Sequence, residues 1–591
     1  MTLLIDQTFP RTLDQLLARY ATPDWQGATL DTWLFEDTAS RRAAEARFRA
    51  AGITARLHPA YKPLIGLFME DPRAAGPFAR VDVSYPVVPP AGDNRFRLEA
   101  YPLAGMLGEA AVGLSAQGAS DASHPAYQVR LEAADGAVTN LSVPAPNHLA
   151  PDHLGEMRLS PTGWLRVSHP DGRRIDERLP TDYETLFHRA MAVIADHDWG
   201  QDEPFFEALE IRIDLPGRDM ALPVGEEAVS LHEALHEELY FSVLEHIQRR
   251  TGRPVGARDI QPGQILPDIR ASDGTIRLRI ETRPLDMGEA DWPDQPLHGA
   301  EAPFGMARIR AELDRIGGRV FTAGSRAGRT VPARYIAGSD HPVMISGGQH
   351  ANEVSGVAGA LRAAALLAER PGAHVTIAPV ENPDGYALHR RLARTQPRHM
   401  HHAARYTALG DDLEYRRADG LPYEAAIRAE ALALSGARLH LNLHGYPSHE
   451  WTRPLTGYVP RGFEMWTVPK GIFLILRHHP GWEAPARTLL TRVTAALAQI
   501  PALAALNAYQ IALYEIHAGR LDFEVIDGIP CMVSEHATQA PAVTLITEYP
   551  DETVYGDAFR LAHDAQSRAV LAAYEAWQEV MGDADQALNG D

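Results

Sequence analysis

The stretch Ile345-Ser-Gly-Gly-Gln-His-Ala-Asn-Glu-Val-Ser-Gly356 decides the fold. The apolar run from Pro342 to Ile345 reads as a buried strand, Gly347 and Gly348 break it, and a helix is predicted from near Asn352 to residue 369, stopped by Arg370-Pro-Gly372. His350 and Glu353 then stand three residues apart where a strand gives way to a helix. That spacing lets both side chains reach one point. An imidazole and a carboxylate converging there form part of a catalytic zinc site, which takes three protein ligands and keeps one position open. A His-x-x-Glu pair alone is common, and it gains weight only from further candidate ligands downstream in the chain.

Downstream of residue 303, helices alternate with apolar strands. A helix is predicted over 305–316, strands over 319–322, 331–336, 342–345, 374–380, 438–443, 531–534 and 543–546, and a closing helix over 557–580. This pattern predicts an α/β domain at 301–591, with a mixed, mostly parallel sheet and helices on both faces. Ligands in such folds bind at the carboxyl ends of strands. The strand at 374–380 runs into Asn382-Pro-Asp-Gly385, a turn by composition. The strand Leu439–Leu443 delivers His444, and the strand Val543–Ile546 delivers Glu548. His350, Glu353, His444 and Glu548 are thereby presented to one rim. Two histidines and a carboxylate suit zinc, and a further carboxylate can serve as general base on water.

Taken in order, Gly324-Ser-x-x-Gly-Arg329, Gly-Gly-x-His350-x-x-Glu353, Asn382-Pro-Asp-Gly-Tyr386, His444-Gly-Tyr446 and the late strand-end Glu548 resemble the zinc carboxypeptidase family, the carboxypeptidase A-like metallopeptidases. The resemblance covers about 303–575. It implies one zinc ion per chain held by His350, Glu353 and His444, with Glu548 as general base. Tyr446 matches the aromatic position near the substrate path. Asp412, in Gly410-Asp-Asp-Leu413, matches the residue that orients the first histidine ligand. The family continues this segment into an Asn-Arg pair that grips the substrate's terminal carboxylate; here it continues Glu414-Tyr415-Arg416, with the arginine displaced. The arginine that polarises the scissile carbonyl corresponds to Arg394 or Arg398. The family's mobile tyrosine has no counterpart between Tyr514 and Tyr549.

Other residues compete for these roles. His440 and His449 flank His444, and strand alternation places His440 with Asn442 and His444 on one face, as a supporting residue. Glu524 and Glu535 compete with Glu548. The His- and Arg-rich run 390–405 reads equally as a substrate-binding loop or as a solvated surface. Leu231-His-Glu-Ala-Leu-His236 carries the His-Glu-x-x-His pattern of another metalloprotease class. Leu231, Leu235 and Leu239 form the apolar stripe of an ordinary core helix, and the expected third ligand is missing. The segment is expected to be structural, with a second metal at His232, Glu233 and His236 as the alternative.

Residues 1–300 read as a β-rich α+β region of unassigned role, taken as one unit or as two, 1–75 and 76–300. Helices are expected at 40–51, 183–197 and 230–250. Strands are expected at 53–57, 64–69, 81–85, 127–131, 164–168 and within 262–281. A polar linker at 286–303 marks the main boundary. A net charge of −21 disfavours nucleic acid as a partner. The single cysteine, Cys531, excludes an intramolecular disulfide and a cysteine zinc cluster. No apolar run reaches the roughly 18–20 residues of a spanning helix. A cytoplasmic location without a membrane partner is therefore expected. The predicted activity is zinc-dependent hydrolysis of amide bonds, foremost as a metallocarboxypeptidase on short peptides. The alternatives are an N-acyl amino acid deacylase and a non-catalytic binding module.

Overall fold

The computed structural model describes the chain except residues 90, 120, 123, 290, 417–421, 464–465, 538–540 and 590–591; of residue 119 and residues 583–589 only the backbone is described. The N-terminal region builds three four-stranded sheets. One joins Thr2–Phe9, Ile276–Arg283, Ala208–Pro216 and Gln264–Ser272; a second joins Arg174–Leu179, Gly163–Ser168, Thr29–Leu34 and Thr54–Pro59; the third lies within Phe78–Pro144. The first strand thus pairs with Ile276–Arg283, and Thr29–Leu34 pairs with Gly163–Ser168. A cut at residue 75 severs both sheets, which corrects the two-unit alternative. The helix α1, Leu231–Arg250, starts at Ser230, whose side chain accepts from the Glu233 amide, and is buried along nearly its whole length.

The expected strand at 64–69 is instead the helix Pro63–Glu70. A short apolar run does not distinguish strand from buried helix, and Pro63 at the first helical position decides for the helix.

The C-terminal region is organised on one nine-stranded sheet. Its strands and three of its helices are β1 (Arg319–Gly324), β2 (Thr330–Ile336), β3 (Val343–Gly347), α2 (Ser355–Ala368), β4 (Val375–Ala378), α3 (Pro383–Ala393), β5 (Leu439–Pro447), β6 (Phe473–His478), β7 (Glu524–Ile526), β8 (Ile529–Glu535), β9 (Val543–Glu552) and α4 (Asp557–Asn589). The strand order is β1-β2-β4-β3-β5-β9-β6-β8-β7. The centre, β4-β3-β5-β9, is parallel, as is β6 with β8; the other four pairings are antiparallel. The sheet is evenly mixed rather than mostly parallel. The parallel centre is buried on both faces, and β5 is buried at all nine positions. Asn382-Pro-Asp-Gly385, expected as a turn, opens α3: Asn382 Oδ1 accepts from the Gly385 amide at 2.9 Å, and Pro383 takes the first helical position.

One hydrophobic core joins the two regions. Leu235, Leu239 and Tyr240 of α1 belong to the same buried cluster as Tyr446, Trp451, Tyr458 and Phe473. Among the described residues no single helix is long and apolar enough to cross a membrane.

Candidate metal centre and catalytic cavity

His350 and Glu353 lie in the loop between β3 and α2, which begins at Ser355, slightly later than expected. Gly348 makes the turn at φ +60°. Its backbone runs so close to Val380 that a Cβ would stand 3.2 Å from the Val380 Cα. The far end of the loop is tied to β9: Asn352 Nδ2 donates to Glu552 at 2.7 Å and the Ser355 amide donates to Asp551 at 2.6 Å. His444 and Glu548 are register partners on the parallel strands β5 and β9. That register sets the third candidate ligand directly beside the candidate base.

The ligand atoms of His350, Glu353 and His444 all lie within 4.8 Å of one another, and all three residues are buried. His350 Nδ1 is 2.9 Å from Glu353 Oε1 and 3.0 Å from His444 Nδ1, which is itself 3.0 Å from Glu353 Oε2. Ligands around a tetrahedral zinc with bonds of about 2.0–2.1 Å sit roughly 3.3 Å apart. The cluster therefore needs to open by only a few tenths of an ångström. Two imidazole nitrogens facing each other beside a carboxylate are the donor set that zinc prefers. The chain's residues fit the ion.

A layer of hydrogen bonds holds this set. His350 Nε2 lies 3.3 Å from Asp412 Oδ2, and Gln349 Nε2 donates to Asp412 Oδ1 at 2.8 Å. Gln349 Oε1 accepts from Asn442 and Arg428, and Ser346 Oγ bridges Asn442 to His440 Nε2. His440 thus connects to the site through Ser346, Asn442 and Gln349 and is not in the ligand cluster. The Gly445 amide donates to Glu353 Oε2 at 3.0 Å.

A cavity of about 400 Å³ opens over the cluster, lined by His350, His444, Tyr446, Glu548, Arg405 and, from the N-terminal region, Arg258. Burial and the neighbouring Glu353 charge push the Glu548 carboxyl well above its ordinary range. Burial also penalises the Glu353 carboxylate, but His350, Arg405 and His444 together hold it well below that range. Arg405 donates directly to Glu353 Oε1.

Three expected substrate contacts fall elsewhere. Arg394 pairs with Asp291 and Arg398 with Glu226, both on the exposed surface. Arg416 is buried between Asp411 at 2.7 Å and Glu424 at 2.9 Å. None of them lines the cavity, because each finds its carboxylate before reaching it. Arg405 does line the cavity; it lies inside the His- and Arg-rich run, and no spacing signal marks it. Tyr446 does line the cavity by its ring, while its hydroxyl is held by Gly471 O and the Lys470 amide.

In the His-Glu-x-x-His segment, His232 and Glu233 have protein partners. His232 Nε2 meets Leu215 O at 3.0 Å, and Glu233 accepts from His449 at 2.6 Å and from the Met400 amide at 3.0 Å. Among the described residues, His350, Glu353 and His444 form the one group of three close enough to share an ion.

No family model matches the chain, and no curated protein matches it. Solved structures similar to it include a metallo-carboxypeptidase from Burkholderia cenocepacia, at 15% identity over 52% of this chain and 75% of that one, with a TM-score of 0.29. Thrombin activatable fibrinolysis inhibitor is similar at 12% identity over 46% and 73%, with a TM-score of 0.28. An aspartoacylase family protein from Mesorhizobium loti is similar at 18% identity over 45% and 71%, with a TM-score of 0.22. Likenesses of this degree say nothing about substrate, and the chemistry rests on the side chains themselves.

Proposed function

We propose that this chain is a zinc-dependent hydrolase of amide bonds, foremost a metallocarboxypeptidase acting on short peptides, with one zinc ion held by His350, Glu353 and His444. The observation that carries the proposal is the register pairing of His444 with Glu548, which sets a carboxyl group beside a three-ligand cluster at the floor of one cavity. Zinc, when bound, supplies Lewis acidity toward water and a carbonyl oxygen, and a positive charge that returns Glu548 toward its carboxylate form. Glu548 takes the proton from the attacking water and delivers it to the leaving nitrogen. Arg405, bound to Glu353 and lining the cavity, stabilises negative charge developing on the carbonyl oxygen. Tyr446, Trp451 and Trp466 give the cavity apolar walls.

Deacylation of N-acyl amino acids is the second proposal. It is favoured by Arg416, which is locked between Asp411 and Glu424 instead of standing free to grip a peptide terminus. Elemental analysis and hydrolysis of a mixed short-peptide library, for wild type and Glu548→Gln, test both. One zinc per chain in both proteins, with cleavage lost only in the variant, is the expected result. One zinc without peptide cleavage moves the function to acyl amino acids. Absence of bound metal leaves a non-catalytic binding module.

A further inference from the structure

The cavity wall contains a cation that no expectation from the catalytic half anticipates. Arg258 lies in the loop between α1 and the strand Gln264–Ser272, in the region without an assigned role. Two sets of hydrogen bonds fix this loop. On the α1 side, Gln248 donates to Ala257 O at 2.8 Å and accepts from the Gly256 amide at 3.0 Å. On the catalytic side, the Asp412 amide donates to Arg258 O at 3.2 Å, and the Gly263 amide donates to Leu409 O at 2.8 Å. Gly263 is required there: at φ +101° its backbone passes so near Phe206 that a Cβ would lie 2.0 Å from the Phe206 carbonyl oxygen. The loop presents Arg258 from a fixed base.

The guanidinium is held by faces rather than by bonds. Its central carbon lies 5.4 Å from the ring centroid of Tyr415 and 5.8 Å from that of Phe463. Aromatic faces position a guanidinium while leaving its N–H donors unused. The nearest anion is Asp412 Oδ2 at 3.9 Å, and that carboxylate already serves His350, Gln349 and the Glu414 amide. Glu414, another wall carboxylate, is bound by Arg428 and Arg477. Arg258 makes no side-chain hydrogen bond to any described residue and is about one-third exposed. A planar fork of spare donors on the wall of a catalytic cavity matches a carboxylate, which it binds with two parallel charge-assisted hydrogen bonds.

We propose that Arg258, supplied by the N-terminal region, anchors a carboxylate of the substrate, so that this region selects which amides enter the catalytic cavity. The assignment rests on the hydrolase proposal only for what is cleaved; carboxylate binding is measurable without turnover. The carboxylate belongs either to the leaving amino acid or to the acyl portion.

Titration calorimetry on the full zinc-loaded chain, in the Glu548→Gln background that removes turnover, tests the assignment. Three probes are used: hippurate, with its carboxylate on the amine side; succinyl-phenylalanine amide, with its carboxylate on the acyl side; and neutral hippuramide. At least one carboxylate probe is expected to bind about tenfold or more tighter than hippuramide. Arg258→Gln is expected to abolish most of that preference and Arg258→Lys to restore part of it, with the thermal midpoint unchanged in both. The probe that loses affinity identifies the side on which the carboxylate lies. A preference that survives Arg258→Gln, or a parent that shows none, overturns the assignment. Hydrolysis by the chain without the Glu548 change is followed in parallel. An inactive enzyme with an intact, Arg258-dependent preference removes the hydrolase proposal and leaves the carboxylate anchor standing.

Discussion

Gly445 follows the third candidate ligand, and its position allows no side chain. A Cβ there would stand 2.0 Å from Asp551 Oδ1 and 2.9 Å from Tyr549 O, while its amide donates to Glu353. Gly445→Ala must push Asp551 or β5 aside and loosen the bond that orients Glu353. Zinc affinity, measured by competition with a chromogenic chelator, is expected to fall about 10- to 100-fold, the usual cost of losing a bond that orients a ligand. Unchanged affinity would show that Glu353 is positioned without that amide. Arg405 carries a different expectation. Arg405→Gln removes the guanidinium that faces the developing charge, so kcat is expected to fall about 100- to 1,000-fold on any cleaved amide, with substrate binding far less affected. The candidate ligands were legible because strand ends and a three-residue spacing are local signals. Arg405, Gln349 and Arg428 were not, because a charge in a loop chooses its partner in space. Arg394 is one of the two residues expected to polarise the carbonyl, yet Asp291 holds it at the surface.

At the level of elements, α1 shows why a strong motif misled less than it could have. Its four glutamates are buried, and all answer polar groups of the catalytic half: Glu233 pairs with His449, Glu237 with His402 and Glu245 with Arg453, while Glu238 accepts from the Leu455 amide. The apolar stripe of Leu231, Leu235 and Leu239 signalled a core helix. The buried charges that fill its other faces signalled nothing, since a sequence does not disclose which surface a helix will lie against. This packing has two measurable consequences. Burial alone would lower the His449 pKa, but the Glu233 charge and hydrogen bond raise it to about 9. A raised folded-state pKa stabilises fully below the unfolded value of about 6.5, and the contribution is lost as pH rises through about 9. Chemical-denaturation stability is therefore expected to fall by roughly 3 kcal/mol between pH 6.5 and 9.5 from this group. His449→Gln should be less stable at pH 6.5 and should lose most of the slope; a slope that persists in the variant would assign it to other groups. Arg453, 1% exposed, neutralises Glu245 at 2.6 Å and lies 3.7 Å from Glu238. Arg453→Met leaves Glu238 buried without its nearest cation and Glu245 with Arg461 as its one remaining arginine, and is expected to cost about 3–5 kcal/mol in urea unfolding.

For the whole molecule, the polar segment at 286–303 marks the expected main boundary, and one buried core spans it. The buried cluster that holds Leu209, Ile211 and Leu278 of the N-terminal sheet also holds Tyr446, Trp451, Tyr458, Val468 and Phe473. Buried polar pairs cross the same boundary: Lys62 with Glu450, Arg453 with Glu245, and Tyr61 with Thr452. A fragment of residues 301–591 would expose that apolar surface and leave Arg453 and Glu450 without their partners, at a cost comparable to the whole stability of a domain. Such a fragment is expected to aggregate or to lack a cooperative melt, and to bind no stoichiometric zinc. The full chain is expected to unfold in one transition, with tryptophan fluorescence and far-UV circular dichroism coinciding along a urea titration. Residue-level patterns revealed β3, β4, β5, β8 and β9, each of which carries its own apolar run; β6 and β7 are not among the expected strands. The same patterns concealed the shared core because the residues that build it lie far apart in the chain and meet only once it folds. A soluble 301–591 fragment that melts cooperatively and holds one zinc would show that the interface is dispensable. The N-terminal region would then act on the site through Arg258 and its loop alone, rather than as part of the body that holds the catalytic sheet together.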